Sequence, residues 1–171
     1  LELWRPGEKM TPQELNRHGF PMGTHEGERL VSREVGEAMF RKYGVSGIAA
    51  FNLSRLAEPG DVLAVDFVPW ARLCDMEAFL NRRRKLLRAS LGRDVMWNDM
   101  LRGMVLAPVA DVLLEAAALD GARPVAKGET VRMATFLKGL RLPVTGLGDV
   151  RQCQVHRGGV SVRAVDDRTC E

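Results

Sequence analysis

The sequence predicts an α+β protein: a β-barrel-like or curled-sheet body with a small four-helix subdomain inserted in it. Three observations carry this. Residues 1 to 72 hold short alternating runs broken by Gly and Pro, residues 73 to 140 take up helical period, and residues 141 to 171 return to strand and turn signals. The expected organisation is therefore 1–72 and 141–171 as two halves of one β-rich unit, with 73–140 between them. No Rossmann unit is expected, because no G-x-G-x-x-G follows a strand and Gly146-Leu147-Gly148 is too short a match.

Residues 1 to 29 carry Pro6-Gly7, Pro12, Gly19, Pro21, Gly23 and Gly27, which fits short strands and loops. Thr11-Pro12-Gln13-Glu14 has the residues of a capping box and allows one helical turn. His18 and His25 lack ligand spacing and companions, so exposed loop histidines are expected there, not a metal pair. Leu30 to Phe40 reads as one strand, or a strand pair bent at Gly36. Next, Tyr43-Gly44-Val45-Ser46-Gly47 leads into a short apolar helix capped by Ser46 or Gly47, an N-terminus that can serve as an anion seat or simply pack on a sheet. Glu58-Pro59-Gly60-Asp61 is a turn. Val62 to Val68 is a strand with Leu63, Val65 and Phe67 on one face, ended by Pro69.

The first helix of the middle segment should be capped by Asp75, carry Met76, Phe79, Leu80, Leu86, Leu87 and Leu91 inward, and close at Gly92. Arg83 falls inside that stripe, so it must snorkel, pair with a carboxylate or face a ligand cleft. Its neighbours Arg82, Arg84 and Lys85 fan around the axis as ordinary surface. A second helix begins after Asp94 or Asn98 with Trp97, Met100, Leu101 and Met104. A third starts at Pro108, carries Val109, Val112, Leu113, Ala116 and Leu119, and ends at Gly121. A fourth runs from Gly128 to Lys138, with Val131, Ala134 and Leu137 inward. The Met and Trp residues on these faces read as core filling and not as a cofactor box.

Beyond Arg141, Gln152 to Val165 alternates into and out of Gly158-Gly159. Adjacent glycines allow positive φ and remove two side chains. Two readings stay open: a hairpin turn, or a backbone lying close to a flat ligand or another chain.

Composition narrows the function. The 171 residues are 46% hydrophobic and 27% charged, ordinary for a soluble globular chain, and no apolar run approaches the ~20 residues of a membrane span. The opening Leu1-Glu2-Leu3-Trp4 lacks the basic start and apolar core of a signal peptide. The chain reads as starting and stopping inside elements, as a piece of a larger protein does. A net charge of +3 does not by itself call for nucleic acid. Cys74, Cys153 and Cys170 are odd in number and far apart, which suits a reducing cytoplasm and no structural zinc. There is no phosphate loop, H-E-x-x-H or G-x-S-x-G, and no nucleophile–base constellation recommends a hydrolase.

Two blocks carry a family resemblance. One is Glu37-Ala38-Met39-Phe40-Arg41-Lys42-Tyr43-Gly44-Val45-Ser46-Gly47, running on to Leu53-Ser54. The other is Leu142-Pro143-Val144-Thr145-Gly146 followed by Gln154-Val155-His156-Arg157-Gly158-Gly159-Val160, with Asp166-Asp167-Arg168-Thr169 closing. Together they resemble the bacterial NAD(P)/FAD-dependent oxidoreductases of the aminoacetone oxidase and YhiN-like type, over roughly residues 30 to 171. Those flavoproteins show a G-E-x-L-F-T-x-x-G-[IL]-S-G-P block, a helical span, and an L-P-V-x-G … V-T-x-G-G-V block. Their flavin domain is interrupted by an insert with a β-barrel-like part and a helical part, and this chain looks like that insert.

The resemblance implies that His156, Arg157, Gly158, Gly159 and Val160 lie beside FAD. It implies that Tyr43 and Ser46, with Arg83, face the substrate, and that NAD(P)H is a candidate electron donor. This chain departs at Arg41 and His156, where the family has Thr, and at Ile48, where it has Pro. His156 thus brings a titratable ring. The implied partners are the flavin-binding domain of the same polypeptide and a small-molecule substrate; the isolated chain would not turn over. The alternative is a stand-alone module for RNA or a protein partner, using Arg82, Arg84, Lys85, Arg88 and Arg93. It lacks the interleaved aromatic residues that stack bases.

Overall fold

The computed structural model describes residues 1–7, 27–149, 158, 159, 161 and 169. In chain order the elements are β1 (Glu2–Pro6), β2 (Glu28–Arg33), β3 (Met39–Arg41), β4 (Gly44–Ser46), α1 (Ile48–Ser54), β5 (Val62–Val65), α2 (Leu73–Leu91), α3 (Trp97–Leu101), α4 (Ala107–Ala116), α5 (Glu129–Lys138) and β6 (Leu140–Pro143). Among the described residues the architecture is α+β: an antiparallel sheet in the order β2-β1-β5-β6, a separate β3–β4 hairpin, and five helices.

Register sorts the sheet into two faces. Glu2, Ala64 and Arg141 stand side by side on one, and Leu3, Leu63 and Leu142 on the other. Val65 and Leu140 share the second face, two residues along, because side chains alternate along a strand. This second face packs on the helices: Val65 and Leu140 join one hydrophobic cluster with Leu80, Trp97, Met133 and Leu137. α2 to α5 lie in sequence between β5 and β6, which are sheet neighbours, and they share that core with them. The first face carries a smaller cluster of Trp4, Leu30 and Ala64.

That first face is concave. Arg141 on one edge strand donates to both carboxylate oxygens of Glu28 on the other, at 2.7 Å each, across β1 and β5. Four strands laid flat would separate the two edges by about 14 Å, so the sheet curls to bring them together. It does not close into the barrel that the sequence allowed. Among the described residues β2 and β6 share no ladder and remain edges.

Several boundaries differ from expectation for local reasons. β5 stops at Val65 because Asp66 turns the chain: its Oδ1 accepts the Val68 N–H at 2.9 Å and its Oδ2 takes Lys138 Nζ at 2.6 Å. Phe67 then leaves the sheet, donates its N–H to Leu137 O at 2.9 Å, and stacks on Phe40 with centroids 6.0 Å apart. α2 is capped by Arg72, with Asp75 in its first turn, and ends as expected at left-handed Gly92. Its buried stripe is narrower than the wheel suggested: Met76 and Leu80 are buried, whereas Phe79, Leu86 and Leu91 are exposed. α4 ends at Ala116, not Gly121, because Ala118 takes the left-handed conformation (φ 50°). The Leu119 N–H then reaches back to Leu114 O and the Ala118 N–H to Glu115 O, a Schellman closure.

Two carboxylates tie this frame. Glu129, at the start of α5, accepts from the buried Trp97 Nε1 at 3.1 Å, from the Ala126 N–H at 2.8 Å and from Arg123. Burial pushes its carboxyl up, but these three donors outweigh burial and hold it below the usual range. Asp61 behaves alike: burial is opposed and overcome by Arg5, at 2.9 Å, and by the Glu58 N–H.

Candidate functional site

The first sequence block folds as a hairpin leading into a helix. In the β3–β4 hairpin Phe40 pairs with Val45 and Met39 with Ser46, and Tyr43 sits in the turn, 73% exposed. Ser46 points the other way in exposure: only 8% of it is accessible. Gly47 caps α1 with φ 98° and ψ 169°, backbone that is essentially glycine-only. A Cβ added there would stand 2.6 Å from the carbonyl oxygen of Glu37 and 3.3 Å from Ala38 Cα. Both glycine properties are thus needed for the block to fold on itself. Ile48 is the first residue of α1, a position where proline's fixed φ is also favoured.

Arg83 is held within the helical part. Its Nε donates to Met100 O at 2.8 Å and an Nη to Arg102 O at 2.7 Å. It satisfies carbonyls at the C-terminal end of α3, a role other than the three suggested by its place on the inner stripe. Of the three substrate-side candidates, Tyr43 and Ser46 belong to the β3–β4 hairpin and Arg83 to α2, and none of them lines the cleft described below. Other members of the basic run are also engaged: Arg84 with Val125 O at 3.3 Å, Arg88 with Asp94 at 3.2 Å, and Arg93 with Asp99 at 2.8 Å. Asp99 is held below the usual carboxylate range by Arg93 first and the Met96 N–H second. Gly158 and Gly159 are exposed, Gly158 with φ 116°. His156, Arg157 and Val160 lie outside the described residues.

The concave face opens at one end into a cleft of about 860 Å³. Glu2, Ala64 and Arg141 contribute from the sheet, Phe136 and Lys138 from the end of α5, and Trp70 from the turn between β5 and α2. Val35, from the β2–β3 link, and Leu73 also line it. Trp70 is 81% exposed and Val35 80%.

The cleft's charges are neutralised locally. Glu2, fully buried, accepts from Arg33 and, at 3.1 Å, from Trp4 Nε1. Lys138 holds Asp66 at 2.6 Å, Arg141 holds Glu28, and Arg72 holds Asp75 at 2.8 Å. The Arg72 hydrogen bond, the largest influence on Asp75, keeps that carboxyl below its usual range. Arg141 Nη1 has no hydrogen-bond partner and lies beneath the surface.

Sequence reasoning missed this cleft. Trp70 lies outside the helical segment whose Met and Trp residues read as core; Pro69 before it marks a turn, and turn residues face solvent. Among the described residues no group of three His, Cys, Asp or Glu side chains could hold a metal ion, and no helix is long and apolar enough to cross a membrane. Comparison with protein-family models finds none that matches the chain.

Proposed function

We propose that this chain is the insert domain of an FAD-dependent oxidoreductase. In this reading it covers the isoalloxazine and helps form the substrate site, while a separate flavin-binding domain of the same cytoplasmic polypeptide holds the cofactor. The flavin supplies hydride chemistry, with NAD(P)H as the candidate donor; the insert supplies enclosure and orientation.

The observation that carries the reading is the ordered pair of sequence blocks around a helical span. Three structural features are compatible with it. α2 to α5 fall between adjacent strands, as a helical subdomain inserted in a β-rich body would. The first block presents Tyr43 on an exposed turn, and Gly158-Gly159 is exposed backbone without side chains, suited to close approach by a flat ring. Ser46 is too enclosed to meet substrate directly and Arg83 is occupied by carbonyls, so Tyr43 is the stronger substrate-side residue.

The test is made in the complete gene product. Tyr43→Ala and Gly159→Val should slow reduction of bound flavin by NAD(P)H while leaving its FAD content unchanged. Unaltered reduction rates in both variants would overturn the assignment. Salt-sensitive RNA binding lost on neutralising Arg82 and Lys85 would favour the basic-helix alternative instead.

A further inference from the structure

The cleft beside Trp70 carries an inference that does not depend on any cofactor. Of the three tryptophans, Trp4 and Trp97 are fully buried and each donates its indole N–H to a carboxylate. Trp70 is the exception, 81% exposed on the rim of a cleft whose volume, about 860 Å³, falls in the range of small-molecule sites. Val35 and Leu73 present further uncovered apolar surface to the same space. Covering such side chains removes apolar surface from water and is favourable.

Charge decides what kind of molecule fits. Each side-chain cation of the cleft already has a carboxylate: Arg33 with Glu2, Lys138 with Asp66, Arg141 with Glu28, Arg72 with Asp75. The Leu1 ammonium donates to the Glu34 carbonyl at 2.8 Å. For the three more enclosed pairs, those of Arg33, Lys138 and Arg141, an ionic ligand would have to separate partners at a cost; only the exposed Arg72–Asp75 pair opens cheaply. Glu34, which also lines the cleft, accepts from Asn52 at 3.1 Å and adds negative charge, a further bias against anions. The unpartnered Arg141 Nη1 is covered by protein and offers no anchor. The exposed indole offers a flat face for offset stacking.

We propose that this cleft binds a small, uncharged, mainly apolar molecule that stacks a planar ring on Trp70 and lies against Val35 and Leu73. The site is complete without flavin, so its test stands apart from the oxidoreductase reading.

The probe is N-phenyl-1-naphthylamine, which is neutral, titrated into the flavin-free 171-residue chain and read by its own emission. The proposal expects saturable binding of one equivalent. Trp70→Ala, at an exposed position whose loss leaves the fold intact by circular dichroism, should weaken it about ten-fold or more, the scale of one stacked ring. Val35→Asp, a second exposed change, should weaken it as well. The anionic analogue 1-anilinonaphthalene-8-sulfonate should bind about ten-fold more weakly than the neutral probe, since its sulfonate meets only cations that already have partners. The proposal is overturned if the neutral probe shows no saturable binding, if both variants bind like the parent, or if the anion binds as tightly.

Discussion

Replacing Gly47 with alanine should damage the fold without any cofactor being involved, and the size of the damage follows from two features. The backbone at Gly47 has φ 98° and ψ 169°, where an L-residue is strained by about 1–3 kcal/mol. The new Cβ would also stand 2.6 Å from Glu37 O, a backbone atom that cannot rotate away. Forcing such a contact apart adds about 1–3 kcal/mol. Together the cost is about 2–6 kcal/mol, against a typical domain stability of about 5–15. Gly36, immediately before the block, is the internal control. A Cβ there would meet Ala49 Cβ at an ordinary 3.6 Å and its φ is not positive, so Gly36→Ala should stay within about 1 kcal/mol of the parent. Urea titration followed by far-ultraviolet circular dichroism, with no flavin present, measures both. If Gly47→Ala unfolds at the same midpoint as Gly36→Ala, the structural account of this glycine is wrong, and its place in the block must reflect something other than folding.

Further outcomes are expected at three positions. Glu129→Ala strands the buried Trp97 Nε1 and the Ala126 N–H and should cost about 2–6 kcal/mol in urea titration, from about 1–3 for each unsatisfied donor. Because the Glu129 carboxyl is held below its usual range when folded, the unfolded chain takes up its proton first. Its stabilisation is therefore complete above the unfolded carboxyl value near ~4 and drains as pH falls through the folded value, and Glu129→Gln should flatten that acid limb; an unchanged limb would contradict the hub. Arg83→Met removes two bonds to carbonyls at the end of α3 and should cost about 1–3 kcal/mol of stability; loss of turnover in the complete protein with stability unchanged would instead make Arg83 a substrate residue. Ala118→Gly relieves a left-handed alanine and should stabilise the chain by about 0.5–1 kcal/mol in the same titration; a loss of stability would contradict the helix closure described for α4.

What could be read ahead of the structure was mostly punctuation and period. Gly47 opening α1, Gly92 closing α2 and Gly128 opening α5 are single-residue signals, and each marks the boundary it suggested. The position of Arg83 on the inner stripe suggested three roles, and packing against α3 gives it another, donation to backbone carbonyls. The errors came from side chains acting on distant backbone. Asp66 ended β5 early because Lys138, far along the chain, holds its carboxylate. The curl of the sheet depends on Glu28 meeting Arg141, a pair that no local pattern announces. The cleft was illegible for the same reason: Glu2, Val35, Trp70 and Phe136 come from four separate stretches, and hydrophobicity alone does not distinguish an indole facing a cavity from one in a core. The flavin-side candidates rest on resemblance, and of them only Gly158 and Gly159 fall among the described residues.

The account's central claim is a division of labour between a cofactor-holding unit and this covering one. Its most direct test is flavin content, by absorbance after denaturation, of the purified complete gene product and of residues 1–171 alone. The account predicts one FAD per chain in the first and none retained by the second. Stoichiometric FAD on residues 1–171 alone, or none on the complete product, would contradict it.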